Sequence, residues 1–406
     1  MKREVRMNIK RKAEGRRNLS RSLHVILCLP LAAASLAGTG AVTAFAASPE
    51  FAYSAEKWAS LRDDKLEYDE IADLIHEYNN TVIQNQIEYE DYRNEDKDDI
   101  AQDYYDAANE IYWNLEYPDS DSTSYASSLS SYLSSRIQAD RLKELGDDNV
   151  DDGEIKKLGY DQTEANLVKQ AQQLMITYWS QMYAIENQQI SKEQAELTYS
   201  QTQTKLQAGM ATQTDLLNAG EAVTSAEASL LSAQSSVSQT KESLCLMLGW
   251  TYGAQVEICE VPEPDLEAIA AIDLEADMQK GLEENYALRI LARQVTNAQY
   301  GSNKDSLEQN LKSQKETAAN SIKSAYEQLL LAQSNYEQAL QSFELEQSAM
   351  ATADRKMQAG VITKNDYRRQ STSFSAAQLQ VRTQKLALLK AQLDYDWSVG
   401  GLASVT

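Results

Sequence analysis

Past the first 46 residues the chain holds a single histidine, His76, in the run Ile75-His76-Glu77-Tyr78. One imidazole cannot build a His-based metal cluster, and His76 reads as a surface or packing residue. No nucleophile-elbow serine, phosphate-binding loop or Gly-rich dinucleotide turn accompanies it. Carboxylates are too abundant for any single pair to indicate acid–base chemistry. The acid-rich stretch Asp147 to Glu154 superficially resembles a calcium loop. With Gly153 at the turn position, however, its ligand positions would include Val150 and Gly159, which offer no side-chain oxygen. These residues imply no cofactor, no metal and no enzyme. Two thiols remain, Cys245 and Cys259, flanking a segment that contains Gly249 and Gly253. An exported chain can join them as a disulfide, and Cys245, among Leu244, Leu246, Met247 and Leu248, can equally be a buried free thiol.

The spacing that does carry information is structural. Lys205-Leu206-Gln207-Ala208-Gly209 recurs 151 residues later as Lys356-Met357-Gln358-Ala359-Gly360. In the same register Thr212 falls on Thr363, Asp215 on Asp366, Ala226 on Ala377 and Gly249 on Gly400. Gly209 and Gly360 suit the left-handed conformation that closes a helix. Thr212 and Thr363 can cap the next helix, with Asp215 and Asp366 three residues on in a capping-box arrangement. The chain therefore forms the tip of a tight helical hairpin twice. Met210 and Ala211 lie in the first turn, Val361 and Ile362 in the second. A turn needs the glycine and the cap but no apolar residue between them. Gly209, Met210, Thr212, Asp215, Gly360, Val361, Thr363 and Asp366 are thus candidate partner-binding residues, against the plainer reading of good turn chemistry. Arg368 and Arg369 follow just beyond the second tip.

Long helices must carry these turns. Leu216, Ala219, Val223, Ala226, Leu230, Ala233, Val237, Leu244 and Met247 form a heptad seam. The second copy gives Tyr367, Phe374, Ala377, Val381, Leu388, Ala391 and Tyr395, with a further stripe of Leu379, Leu386, Leu389 and Leu393. Two apolar stripes on one helix suit a closed cylinder of helices, with a simple two-hairpin bundle as the alternative. Upstream, Ile71, Leu74, Ile75, Tyr78, Val82 and Ile83 pattern one shorter helix, and Ile272, Ala276, Leu282, Leu288, Ile290 and Leu291 another. Asn79 matches Asn285. The larger offset there leaves an acidic, Ser-rich insertion near 90–160 in the first repeat, in which Tyr125, Leu129, Tyr132, Leu133 and Ile137 have helical spacing. The fold class is all-α: two tandem repeats of long coiled-coil hairpins, a first repeat over 47–260 and a second over 261–406.

Only 15 glycines and 5 prolines punctuate 406 residues, as long helices require. The first 46 residues hold nine basic and two acidic residues, an apolar stretch from Leu23 to Ala37, and Ala44-Phe45-Ala46 as a small-x-small cleavage site. They read as an export signal, with an uncleaved anchor as the alternative. The remaining 29 basic and 59 acidic residues give a net charge of −30, which repels nucleic acid and anionic headgroups. That charge either keeps a long molecule soluble or makes an acidic lumen or docking end. The 5 Trp and 22 Tyr could serve a carbohydrate or cell-wall surface. Spread over long helices, most read as seam and interface residues.

The two Ala-Gly-x-x-Thr-x-x-Asp turns, the Ala-rich seams after them and the Leu248-Gly249 and Val399-Gly400 endings resemble the TolC family of outer-membrane efflux proteins. The resemblance covers most of residues 60 to 400. It implies a homotrimer, a twelve-helix tube whose six tips meet a periplasmic-adaptor or membrane-fusion-type protein that links it to an inner-membrane transporter. The family places two β-strands between the upstream helix and the long descending helix of each repeat. Here the second repeat offers only Gly301-Ser302-Asn303-Lys304 as a break, and no alternating stretch of roughly 9–11 residues is found. The sequence resembles the helical part of the family with little or no β-barrel, located in the cell envelope, and at an outer membrane where one exists. The expected function is a component of an efflux or secretion system. The alternative is a coiled-coil envelope scaffold or cell-wall-associated spacer with no transport role.

Overall fold

A computed structural model describes residues 53–121, 123–298 and 301–406; the export signal expected at 1–46 lies outside them. The chain divides into two compact units, one formed by 95–150 and the other by 47–94 with 151–406.

In the larger unit the first repeat opens with α1 (Ala55–Ser60), strand β1 (Lys65–Leu66), α2 (Ile71–Tyr78) and α3 (Asn80–Tyr92). After the intervening unit, α6 (Gly153–Gln207) and α7 (Gln213–Met247) form the first hairpin, and β2 (Glu257–Ile258) follows. The second repeat comprises α8 (Leu266–Ala270), α9 (Leu274–Glu284), α10 (Tyr286–Asn297), α11 (Ser302–Gln358) and α12 (Lys364–Trp397), then a π-helical turn at Ser398–Leu402. At 1.5 Å per residue α6 and α11 each span roughly 80 Å. Among the described residues the only strands are β1 and β2, which pair in parallel, Lys65 beside Glu257 and Leu66 beside Ile258. No described helix is long and apolar enough to cross a membrane. The fold is all-α with two tandem long helical hairpins.

The upstream helices differ from expectation. Each is two helices, broken at Asn79 (ψ 122°) and Asn285 (ψ 117°). The apolar periodicity runs through both breaks, but an Asn side chain bonds its own backbone as readily as it joins a helix. Asn79 accepts from the Thr81 and Val82 N–H groups and donates to the Met247 carbonyl at 2.8 Å. Asn285 accepts from the Leu288 N–H and donates to the Ala403 carbonyl at 2.9 Å. The same side chain therefore starts a helix and fastens the end of its repeat, twice. Beside each stands a glycine. A Cβ on Gly249 (φ +90°) would lie 2.4 Å from the Tyr78 Cβ, and one on Gly401 (φ +107°) 2.7 Å from the Glu284 carbonyl oxygen. Gly401, not Gly400, is the counterpart of Gly249. The π-helical turn absorbs one extra residue, which shifts the register that holds from 205 to 226.

The core sits at these base ends. Leu66, Ile71, Leu74, Ile75, Val168, Met175, Leu244 and Leu248 pack together in the first repeat, and Leu288, Ala318, Ile322, Leu329, Leu388 and Tyr395 in the second. Leu386, Leu389 and Leu393 of the second stripe pack on Ile176 of α6, flanked by Trp179 and Trp397. That stripe joins the two hairpins of one chain. α7 packs on α6, α6 on α12 and α12 on α11, leaving α7 and α11 to flank the layer.

The smaller unit is a helical hairpin, α4 (Lys97–Trp113) and α5 (Tyr125–Asp147). The insertion is narrower than 90–160, because α3 runs on to Tyr92 and α6 starts at Gly153. The predicted helix over 125–137 is present. Its Leu133 and Ile137 are exposed, and Ala139 and Gly146 are its buried residues. Small residues face α4 because Tyr105 lies against Gly146 with no room for a Cβ.

Candidate functional site

The hairpin tips are built by local chemistry alone. At the end of α6 the Gly209 N–H bonds the Leu206 carbonyl at 2.9 Å and the Met210 N–H bonds the Lys205 carbonyl at 2.8 Å. At the end of α11 Gly360 bonds Met357 at 3.1 Å and Val361 bonds Lys356 at 2.8 Å. Both are Schellman turns, with Gly209 (φ +72°) and Gly360 (φ +69°) left-handed. The next helix is then capped. Thr212 Oγ1 accepts from the Asp215 N–H at 3.1 Å and donates to Asp215 Oδ2 at 2.7 Å, while the Thr212 N–H returns to the same carboxylate at 2.7 Å. Thr363 and Asp366 repeat the first two bonds at 3.1 and 2.7 Å.

These bonds hold both carboxyls below the usual range. For Asp215 the Thr212 N–H is the main cause, and for Asp366 the Thr363 hydroxyl, followed by Arg369. Arg369 is thus engaged by the cap of its own helix, while Arg368 stays exposed. The second tip is further stiffened where Tyr367 donates to Asp354 at 2.8 Å and Gln370 to Glu346 at 2.7 Å.

The predicted tip residues fall in two compact turns. Met210 is 73% exposed and Val361 71%, whereas Ala211 and Ile362 are half-buried. A Schellman turn commonly pairs its second residue past the cap with an apolar residue three or four positions before it. Here those partners would be Lys205 and Thr204, or Lys356 and Arg355. Neither apolar side chain is needed by its own turn.

Other ties escaped the sequence pattern because they join residues far apart in the chain. Arg382 of α12 grips both oxygens of Glu186 on α6, at 3.2 and 2.7 Å, and lies 4.9 Å from the Tyr183 ring centre. Asp394 accepts from Gln173 at 2.7 Å and pairs with Lys169 and Lys390. Trp397 donates to Gln172 at 2.8 Å. Asp152, buried at the start of α6, takes Arg293 at 2.7 Å and Asn297 at 2.8 Å from α10. Burial pushes Asp152 up, but Asn297, the Ile155 N–H and Arg293 together hold it low. His76 pairs with Glu164 at 2.8 Å, which raises its pKa. Cys245 and Cys259 are both free thiols, each pushed up by burial.

No protein-family model matches the chain, and no curated protein does. Solved structures match its fold. A membrane protein from Pseudomonas aeruginosa is 12% identical, with 83% of this chain and 91% of that one covered and a TM-score of 0.55. CusC, whose structures concern folding and transmembrane channel formation, is 10% identical over 83% and 92%, with a TM-score of 0.51. The outer-membrane channel OprN is 11% identical over 86% and 93%, with a TM-score of 0.50. With its doubled hairpins and capped tips the chain has a TolC-like fold, and it carries almost no strands among the described residues.

Proposed function

We propose that this chain is an exported component of an efflux or secretion system in the cell envelope, which forms a homotrimeric helical tube and docks an adaptor through its tips. The observation that carries the reading is the pair of tips. Both are closed by the same turn and cap, and both hold outward an apolar residue that the turn does not use. That both matching tips expose an apolar side chain favours a partner surface there. The fold supports the reading, since it is shared with outer-membrane channels.

The flanking helices support the trimer. α7 exposes Leu217 and Leu231, and α11 exposes Leu331 and Leu345. Each pair is two heptads apart, the repeat by which one helix seats its knobs in another. Three copies joined α7 to α11 would cover these rows and close twelve helices. The partner is then an adaptor of the membrane-fusion type, which connects the tube to an inner-membrane transporter. A spacer without transport would not need both tips in matching form.

The test replaces Met210 and Val361 by Asp together. Both are solvent-facing, so the melting temperature should hold, while co-purification with the adaptor of the same export system falls at least tenfold. Unchanged capture by a verified adaptor, with unchanged stability, defeats the docking role. Loss of folding would place these side chains in the core and defeat it equally.

A further inference from the structure

The α4–α5 hairpin carries an aromatic turn that takes no part in the hairpin tips. Trp113, the last residue of α4, is 84% exposed, and Tyr117 in the following turn is 66% exposed. Tyr117 does not swing freely. Its ring meets Tyr132 edge to face with centres 5.3 Å apart, and its hydroxyl lies 3.2 Å from that of Tyr125. Tyr117 is thus fixed in place while most of it stays open to water. Asn114, Glu116, Asp119 and Asp121, its neighbours in sequence, are also exposed.

Chemistry selects among the occupants. Residues 95–150 contain 14 acidic and 4 basic side chains. An anionic lipid surface would repel this unit, and inserting Trp113 would drag Glu110 and Glu116 toward hydrocarbon. A second copy would bring two acidic turns together. The exposed aliphatics of the unit, Leu133, Ile137 and Leu145, lie along α5 and not in the turn, so the turn itself offers rings and oxygen acceptors. Sugar rings suit that combination. Their C–H faces carry slight positive charge and stack on the negative face of an aromatic ring, and their hydroxyls donate to carboxylate and amide oxygens.

We propose that this turn binds a neutral glycan strand of the cell wall, with sugar faces stacked on Trp113 and Tyr117 and hydroxyls bonded to the surrounding carboxylates and Asn114. The proposal rests on the export reading only in that wall glycan lies outside the membrane; tip docking plays no part in it.

The experiment is co-sedimentation of the full exported chain with insoluble peptidoglycan and with chitin. The wild type should pellet with both, also in about 0.5 M salt, where screening leaves charge pairs a range of only ~4 Å. Trp113→Ala with Tyr117→Ala should lower binding at least tenfold at unchanged helical circular dichroism, and Trp113→Phe should keep most of it. If the double variant loses helicity, Trp113→Ala alone decides, with a threefold loss expected because that side chain is almost free of contacts. Wild type left in the supernatant overturns the proposal, as does undiminished binding by the variants. Binding abolished by salt would indicate a basic partner, and pelleting with anionic phospholipid vesicles instead of glycan would indicate a membrane; either result also overturns it. Loss of adaptor capture in the Met210 and Val361 variant has no bearing on this outcome.

Discussion

The base and the tips of the hairpins use glycine for different reasons. At the base, Gly249 and Gly401 need a left-handed backbone and also the absence of a side chain, because Tyr78 and Glu284 fill the space. At the tips, Gly209 and Gly360 need only the backbone, since a Cβ there would meet nothing within 4 Å. The same division runs through the packing. The base buries large residues such as Ile75, Met175, Leu244 and Leu329, while α7 nearer the tip buries only Ala219 and leaves Leu217 and Leu231 in water. The base buries its large residues within one chain; the distal halves leave Leu217, Leu231 and Leu345 exposed.

The sharpest way to break that comparison is at its glycines. Gly401→Val should cost roughly 3–5 kcal/mol in urea unfolding, from strain and overpacking together. Gly209→Ala should cost about 1 kcal/mol, from backbone strain alone. Equal losses would remove the distinction. Next in size, Asn285→Ala strands the Ala403 carbonyl and the Leu288 N–H and should lower stability by about 2–3 kcal/mol, with Asn79→Ala acting alike in the first repeat. Leu231→Ser with Leu345→Ser should change protomer stability by no more than about 0.5 kcal/mol. The same pair should weaken self-association in sedimentation velocity at least tenfold.

The smallest effect separates base from tip by pH. His76 at the base has a raised pKa through Glu164. Its stabilising effect is fully present below its unfolded value of 6.5 and is lost as pH rises through the higher folded value. Asp215 and Asp366 are lowered from 3.8, so their caps hold above that value and fail as pH falls through the lower folded one. Amide exchange should show the first turns of α7 and α12 loosening only in acid. His76→Gln should flatten the slope of melting temperature as pH rises above 6.5 and leave the acid limb alone.

Why some of this was legible follows from range. A tip is written in seven residues, Gly209 to Asp215 or Gly360 to Asp366, all bonded to near neighbours, and the seam Leu216 to Met247 needs only its own periodicity. Asn79 and Asn285 were visible as a matched pair, but their meaning depends on Met247 and Ala403, over a hundred residues away. An apolar stripe continuing through them conceals the break. The shift from Gly400 to Gly401 needs a π-turn that no residue type announces. Arg382 with Glu186, and Asp394 with Lys169 and Gln173, carry no spacing rule, since they exist only once two hairpins lie side by side. Met210 and Val361 could be predicted as exposed because tight turns have little interior.

The parallel pairing of β1 with β2 bears on how the chain is made. Leu66 is fully buried, and its carbonyl accepts from the Cys259 N–H at 2.9 Å. Both partners of that bond come from opposite ends of the first repeat, so the N-terminal base cannot close while the hairpin between them is still being delivered. A chain threaded across a membrane from its N-terminus would emerge with Leu66, Ile71 and Ile75 uncovered until residue 259 has followed. Contacts of such long sequence separation form late, and exposed apolar surface invites aggregation in the interval. On that route the acidic, breaker-poor helices between would have to keep the segment from aggregating, and the base of this repeat would close only when its last strand arrives.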